Sequence, residues 1–165
     1  MHVQVYNDAG ELVGPVEQAK VVKSAEDWRA QLTPRQFGIV REKGTERAGT
    51  SPLLHNKEHG VYACVACRLP LFLSDTKFES GTGWPSFYQP IAEGNVLNIE
   101  DRSYGTVRTE IVCVRCDGHL GHVFDDGPKP TGLRYCLNGE SLTFVKADAL
   151  ATLAEPTMST TQPSE

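Results

Sequence analysis

Four of the five cysteines in this chain stand in two Cys-x-x-Cys pairs, Cys64 with Cys67 and Cys113 with Cys116. Such a pair folds as a turn whose two sulfurs reach one metal at about 2.3 Å, so two pairs supply the four thiolates of a tetrahedral zinc site. The fold must then bring together two segments far apart in the chain. A four-thiolate site stabilises a fold but leaves no coordination position for a substrate. The fifth cysteine, Cys136, stands alone in Leu133-Arg134-Tyr135-Cys136-Leu137-Asn138 and is the candidate for reactivity.

Two rival readings of the pairs are weaker. A thioredoxin-like redox pair is expected at the start of a helix after a strand, with no partner motif. The run Cys113-x-x-Cys116-x-x-His119-x-x-His122 offers four ligands in one short stretch. Its two-residue gaps do not match zinc-finger spacing, and it leaves Cys64 and Cys67 unexplained. His119 and His122 are therefore free for other work.

The chain's 165 residues fit one domain with one core. Fifteen glycines and ten prolines, without a repeat, point to many short elements joined by turns rather than to a helical bundle. Val3, Val5 and Tyr6, then Leu12 and Val13, flank the turn-like Asn7-Asp8-Ala9-Gly10. Residues 1–23 thus read as an N-terminal extension, an appended β-hairpin. Ser24-Ala25-Glu26-Asp27 and Thr33-Pro34-Arg35-Gln36 are capping signals that predict two short helices, about 25–32 and 34–42. From Gly60 the period becomes that of strands: Val61–Ala63, Leu71–Leu73, Val107–Cys113, Leu133–Leu137 and Leu142–Val145. The body, 24–148, is expected to be mainly β and antiparallel, and the polar stretch 149–165 to be a disordered tail.

A formal charge of −5 without a dense Lys/Arg stripe argues against a nucleic-acid partner. The N-terminus lacks the basic and apolar regions of a signal peptide, and no apolar run approaches a membrane span. A reducing cytoplasm, where thiolate ligands survive, is the expected location.

Along a strand from Leu133 to Asn138, period two puts Arg134, Cys136 and Asn138 on one face and Leu133, Tyr135 and Leu137 on the other. The arginine favours the thiolate over a thiol whose ordinary pKa is about 8.5. A buried inert cysteine is the competing reading; the polar face favours a reactive one. In His119-Leu120-Gly121-His122-Val123-Phe124-Asp125-Asp126-Gly127-Pro128 one His reads as a structural residue and Asp126-Gly127-Pro128 as a turn, Gly83-Trp84-Pro85-Ser86-Phe87 reads most simply as a turn with two core aromatics, and spacing does not decide between these and site roles.

Taken together, these motifs resemble the type B methionine sulfoxide reductases, which reduce the R epimer of methionine sulfoxide. The resemblance runs from about Trp28 to Val145 and includes Gly44-Thr45-Glu46, Gly60-Val61-Tyr62-Ala63-Cys64, Pro70-Leu71-Phe72, Gly83-Trp84-Pro85-Ser86-Phe87, Arg108-Thr109-Glu110, His119-Leu120-Gly121-His122-Val123-Phe124, Asp126-Gly127-Pro128 and Arg134-Tyr135-Cys136 with Asn138. It implies two antiparallel sheets with small peripheral helices, and one structural zinc on Cys64, Cys67, Cys113 and Cys116. It implies Cys136 as nucleophile, His119 and His122 as active-site histidines with Asp126 as their partner, and Arg134 and Asn138 steadying thiolate and oxyanion. Trp84 and Phe124 would receive the substrate. Many relatives carry a resolving cysteine just before Gly-Trp-Pro-Ser-Phe, where this chain has Thr82. That departure implies a one-cysteine form, with a sulfenic acid on Cys136 reduced by thioredoxin or another external thiol. A zinc-ribbon-like binding module and an oxidant-sensing zinc protein are the alternatives.

Overall fold

The capping signals hold to the atom. In the computed structural model, which describes residues 1–154, the Ser24 side chain accepts from the Asp27 amide and starts α1, Ala25–Gln31. Thr33 and Gln36 form a reciprocal capping box, and Pro34 opens α2, Pro34–Val40. Trp28, Leu32, Phe37 and Val40 are all buried, so both helices turn an apolar face inward.

Two sheets make the body. The three-stranded one has the order β11-β3-β4, from β3 (Gly60–Cys64), β4 (Pro70–Leu73) and β11 (Leu142–Lys146). The six-stranded one has the order β5-β6-β10-β9-β8-β7, from β5 (Lys77–Phe78), β6 (Ser86–Phe87), β7 (Val96–Asp101), β8 (Arg108–Cys113), β9 (His119–Phe124) and β10 (Arg134–Leu137). Every pairing is antiparallel. The core lies between them as an aromatic layer: Phe72 stacks on Phe87 at 4.6 Å, Tyr62 meets Phe87 edge-on at 5.0 Å, and Tyr135 closes on Phe72 at 5.7 Å. Tyr62, Phe72 and Phe87 are wholly buried. The fold is mainly β with small peripheral helices, as expected.

Two boundaries differ from the sequence reading. The N-terminal hairpin, β1 (His2–Tyr6) with β2 (Leu12–Glu17), is no appendage, because Val3, Val5 and Tyr6 are buried in the body. Asn95, fully buried, exchanges hydrogen bonds with both backbone polar groups of Gln4 and donates to the Pro70 carbonyl at 2.7 Å. One side chain thereby joins hairpin, β4 and the turn before β7. The expected tail also starts too early: residues 147–153 form 3-10 turns, and Leu153 packs against Tyr6, Val61 and Val145. Residues 155–165 of that expected tail lie outside the described residues.

Candidate active site and metal centre

The two cysteine pairs are built alike. Each joins two antiparallel strands, β3 to β4 and β8 to β9. In each the first cysteine donates its amide to a carbonyl five residues on, Cys64 to Leu69 and Cys113 to Gly118, and its carbonyl accepts from the residue four on, Arg68 or Asp117. Arg68 and Asp117 occupy the left-handed region, with φ of 66° and 63°, which closes each turn. The turns face one another: Cys64 Sγ lies 3.7 Å from Cys116 Sγ, Cys67 Sγ lies 3.5 Å from Cys113 Sγ, and all four sulfurs fall within 4.8 Å. Four sulfurs around a cation at about 2.3 Å stand about 3.8 Å apart, so the set is spaced to hold one tetrahedral metal ion. His119 and His122 are not part of the set, which removes the rival ligand run.

The lone cysteine lies on β10, paired with His122 of β9. Strand register places Glu110, His122, Cys136 and Ser86 in one row across β8, β9, β10 and β6. Residues so paired carry their side chains on the same face, about 5 Å apart. Gly121 is required here, because a Cβ on it would collide with the Cys136 carbonyl. Cys136 is half-buried and opens into a cleft of about 110 Å³ walled by Trp84, Phe124, His122 and Arg108. Trp84 donates its indole N–H to the Glu46 carbonyl at 3.1 Å, which fixes the ring on the cleft wall rather than in the core; its neighbour Phe87 is the core residue.

Arg134 lies along the same face, its guanidinium 4.5 Å over the Phe124 ring and bound through two nitrogens to Asp126 at 2.9 and 3.1 Å. Burial pushes the Cys136 thiol up, and this outweighs the Thr82 hydroxyl at 4.0 Å and the Arg134 charge, both of which pull it down. Arg134 acts in the expected direction, favouring the thiolate, but offsets only part of the cost of burial.

The two histidines separate. His122 lines the cleft, and its Nε2 lies 2.7 Å from Asp101 Oδ2. That hydrogen bond, with further ones from Ser103, holds the Asp101 carboxyl well below the usual range, so the ionised carboxylate accepts and Nε2 donates. His119 is buried, outside the cleft wall, with Nδ1 2.7 Å from Glu110, whose other oxygen meets Lys43 at 3.1 Å. Burial pushes His119 down. A bulge explains how two residues three apart reach neighbouring positions: Ile111 pairs with Gly121 but Val112 with His119, so Leu120 is the extra residue. The rings meet edge-on at 5.6 Å.

Two sequence assignments change. The carboxylate on His122 is Asp101, while Asp126 serves Arg134. Asn138 lines the cleft, but its Oδ1 accepts from the Glu46 amide at 2.9 Å and its Nδ2 donates to the Leu120 carbonyl at 3.2 Å. Its amide therefore ties the Thr45-Glu46 loop to β9, which is a positioning task. Asp101 carried no local signal; only its pairing with Arg108, inside a recognised motif, could have pointed to it. Thr45 and Arg108 lay in recognised motifs without an assigned place and prove to be cleft walls.

Fold and site define a mainly β enzyme scaffold with one open thiol and one closed four-cysteine centre. Residues 32–146 match the SelR domain, and the chain belongs to that family, the type B methionine sulfoxide reductases. It is 59% identical over 127 residues to a peptide methionine sulfoxide reductase MsrB of Leptospira interrogans, covering 77% of this chain and 97% of that protein. It is likewise 59% identical over 125 residues to the protein of that name from Agrobacterium fabrum, covering 76% and 93%. The MsrB of the archaeon Methanosarcina mazei is 57% identical over 131 residues, covering 79% and 94%.

Proposed function

We propose that the enzyme reduces methionine-R-sulfoxide in oxidised proteins and peptides through a sulfenic acid on Cys136. The observation that carries this reading is the Cys136 thiol in a cleft with two aromatic walls, beside a histidine already held by a carboxylate. The Cys136 thiolate attacks the sulfoxide sulfur, forming a sulfur–sulfur bond as the protonated oxygen leaves as water; water then attacks Cys136 Sγ, breaking that bond, releasing methionine and returning one proton. Thiolate, sulfoxide and one proton give methionine and Cys136 sulfenic acid. An unprotonated oxide is a very poor leaving group, so an acid must supply that proton. His122 is the acid, from Nδ1, with Asp101 steadying the imidazolium. His119, closed off with Glu110, supports His122 from behind.

Arg134, kept flat on Phe124 by Asp126, steadies the thiolate and the charge on oxygen. Trp84 and Phe124 take the methyl and thioether of the substrate, because aromatic faces suit sulfur and alkyl groups better than the polar oxygen. Two external thiols then return the sulfenic acid to thiol, releasing water and a disulfide. Thr82 supports this external route, since a hydroxyl stands where a neighbouring resolving thiol would act. Thioredoxin in a reducing compartment fits the donor role, and the setting is repair of oxidised protein. No helix among the described residues is long and apolar enough to cross a membrane. Zinc is the fitting ion for the four-cysteine centre, where it would stabilise the fold and take no part in the redox step.

The test is turnover of separated R and S epimers of a methionine-sulfoxide peptide with dithiothreitol. Reduction of the R epimer only, with one oxygen added to Cys136 after stoichiometric sulfoxide without reductant, is the expected result. Reduction of the S epimer, or an internal disulfide between Cys136 and a cysteine of the pairs, would overturn the reading.

A further inference from the structure

The segment before the family-matched region makes a set of contacts away from the cleft of the reactive cysteine. Residues 18–31 lie outside the SelR match, yet they donate to the outer carbonyls of both cysteine turns. Lys20 Nζ donates to the Val114 carbonyl at 2.8 Å and pairs with Asp117 at 2.7 Å. The Val21 amide donates to the Arg115 carbonyl at 2.7 Å. The Gln18 side chain accepts from Arg115 Nη1 at 2.7 Å, and Nη2 of the same guanidinium donates to the Cys67 carbonyl at 2.6 Å. Gln31 donates to the Ala66 carbonyl at 2.6 Å and is itself held by Lys23. Within the matched region, Arg41 completes the ring by donating to the Cys116 carbonyl at 2.9 Å.

The carbonyls of Ala66, Cys67, Val114, Arg115 and Cys116 are therefore each capped from outside. Opening a Cys-x-x-Cys turn by rotating the peptides between and after its cysteines breaks these caps. Charge acts in the same direction: four thiolates around a divalent cation carry a net charge of −2, and the caps bring Lys20, Arg41 and Arg115 beside it. The cleft around Cys136 touches none of these contacts.

We propose that residues 18–31 are a clasp over the four-cysteine centre, in which Gln18, Lys20 and Gln31, by holding the carbonyls and the Arg115 guanidinium around it, slow loss of the metal. This rests on the zinc reading above. Loss of one cap raises the release rate about three- to tenfold, from the ordinary worth of a hydrogen bond.

The test uses the full zinc-loaded chain and the chelator 4-(2-pyridylazo)resorcinol at fixed neutral pH, with release followed by absorbance. Lys20→Met and Gln18→Ala together are expected to release zinc at least about tenfold faster than wild type. Lys20 is exposed, Gln18 half-buried and outside the apolar core, and R-sulfoxide turnover of the zinc-loaded variant should match wild type. Lys146→Met, at an exposed site on β11, is the control and should release at the wild-type rate. Release by the double variant within twofold of wild type, or equal acceleration in the control, would overturn the clasp. Wild type isolated without stoichiometric zinc, measured by mass spectrometry of the metal, would overturn the metal reading itself.

Discussion

Cys67 and Cys136 are both half-buried cysteines near the end of a β-hairpin, and they are built for opposite ends. Around Cys67 three further sulfurs fill the inner space and donors cap the outer carbonyls, so nothing can enter. Around Cys136 the inner space is a cleft, and its neighbours are a hydroxyl, a guanidinium and a histidine rather than three further thiols. A thiol is therefore inert or reactive by what surrounds it. The metal centre tolerates no vacancy, whereas the reactive cysteine needs one.

The sharpest way to break this contrast is to exchange the effects of substitution at the two places. Cys136→Ser should lower sulfoxide turnover by about 10³-fold or more, because a hydroxyl is a far weaker nucleophile than a thiolate. Its zinc content and melting temperature should match wild type. Cys113→Ser should do the reverse first: lose the metal and melt more than about 10 °C lower, since binding free energy of a structural metal is folding free energy. Thermal denaturation paired with metal analysis checks both, and a Cys136→Ser protein that loses zinc would erase the distinction.

Within the cleft, a second pair of substitutions sharpens the division of labour between carboxylates. His122→Ala should cost about 10²-fold in kcat, the usual worth of a positioned acid. Asp101→Asn should cost about tenfold or more and disturb the pH profile, because Asp101 holds the His122 proton on Nε2. Asp126→Asn should cost only a few-fold, acting through Arg134. A larger effect at Asp126 than at Asp101 would reverse the assignment made from the geometry.

The smallest effect concerns pH. Burial raises the Cys136 thiol, so alkylation of Cys136 by iodoacetamide should increase with pH along a limb lying above that of an ordinary cysteine. Arg134 pulls the thiol down, so Arg134→Ala should move the limb further toward alkaline pH, and Thr82→Val should move it the same way by less. Peptide mass spectrometry of the alkylated site measures both. A limb shifted toward acid in Arg134→Ala would show that the guanidinium does not face the sulfur.

Much of this was legible in the chain because its signals are local. Capping residues, Pro34 and the paired cysteines specify turns within a few residues, where hydrogen-bond geometry depends on little else. The alternation around Cys136 gave the correct faces for the same reason: Tyr135 and Leu137 are core, Cys136 faces the cleft. β9 was harder to see. His-Leu-Gly-His does not alternate as a strand should, because a bulge at Leu120 breaks its period. The N-terminal hairpin read as an appendage because burial of Val3 and Val5 depends on Asn95, distant in sequence.

By itself, then, the sequence determined the ligand set of the metal centre, the one cysteine left over and the mainly β character, each of which depends on residue type and short spacing. Only the tertiary structure decided that Asp101 and not Asp126 holds His122, that His119 is closed off with Glu110, and that residues 18–31 cover the cysteine turns. The first two are pairings between distant strands, fixed by strand register and by a single bulge, and the third is a packing of loop and helix on the turns. A shift of one residue in register would move the strand residues among them to the other face of their sheet.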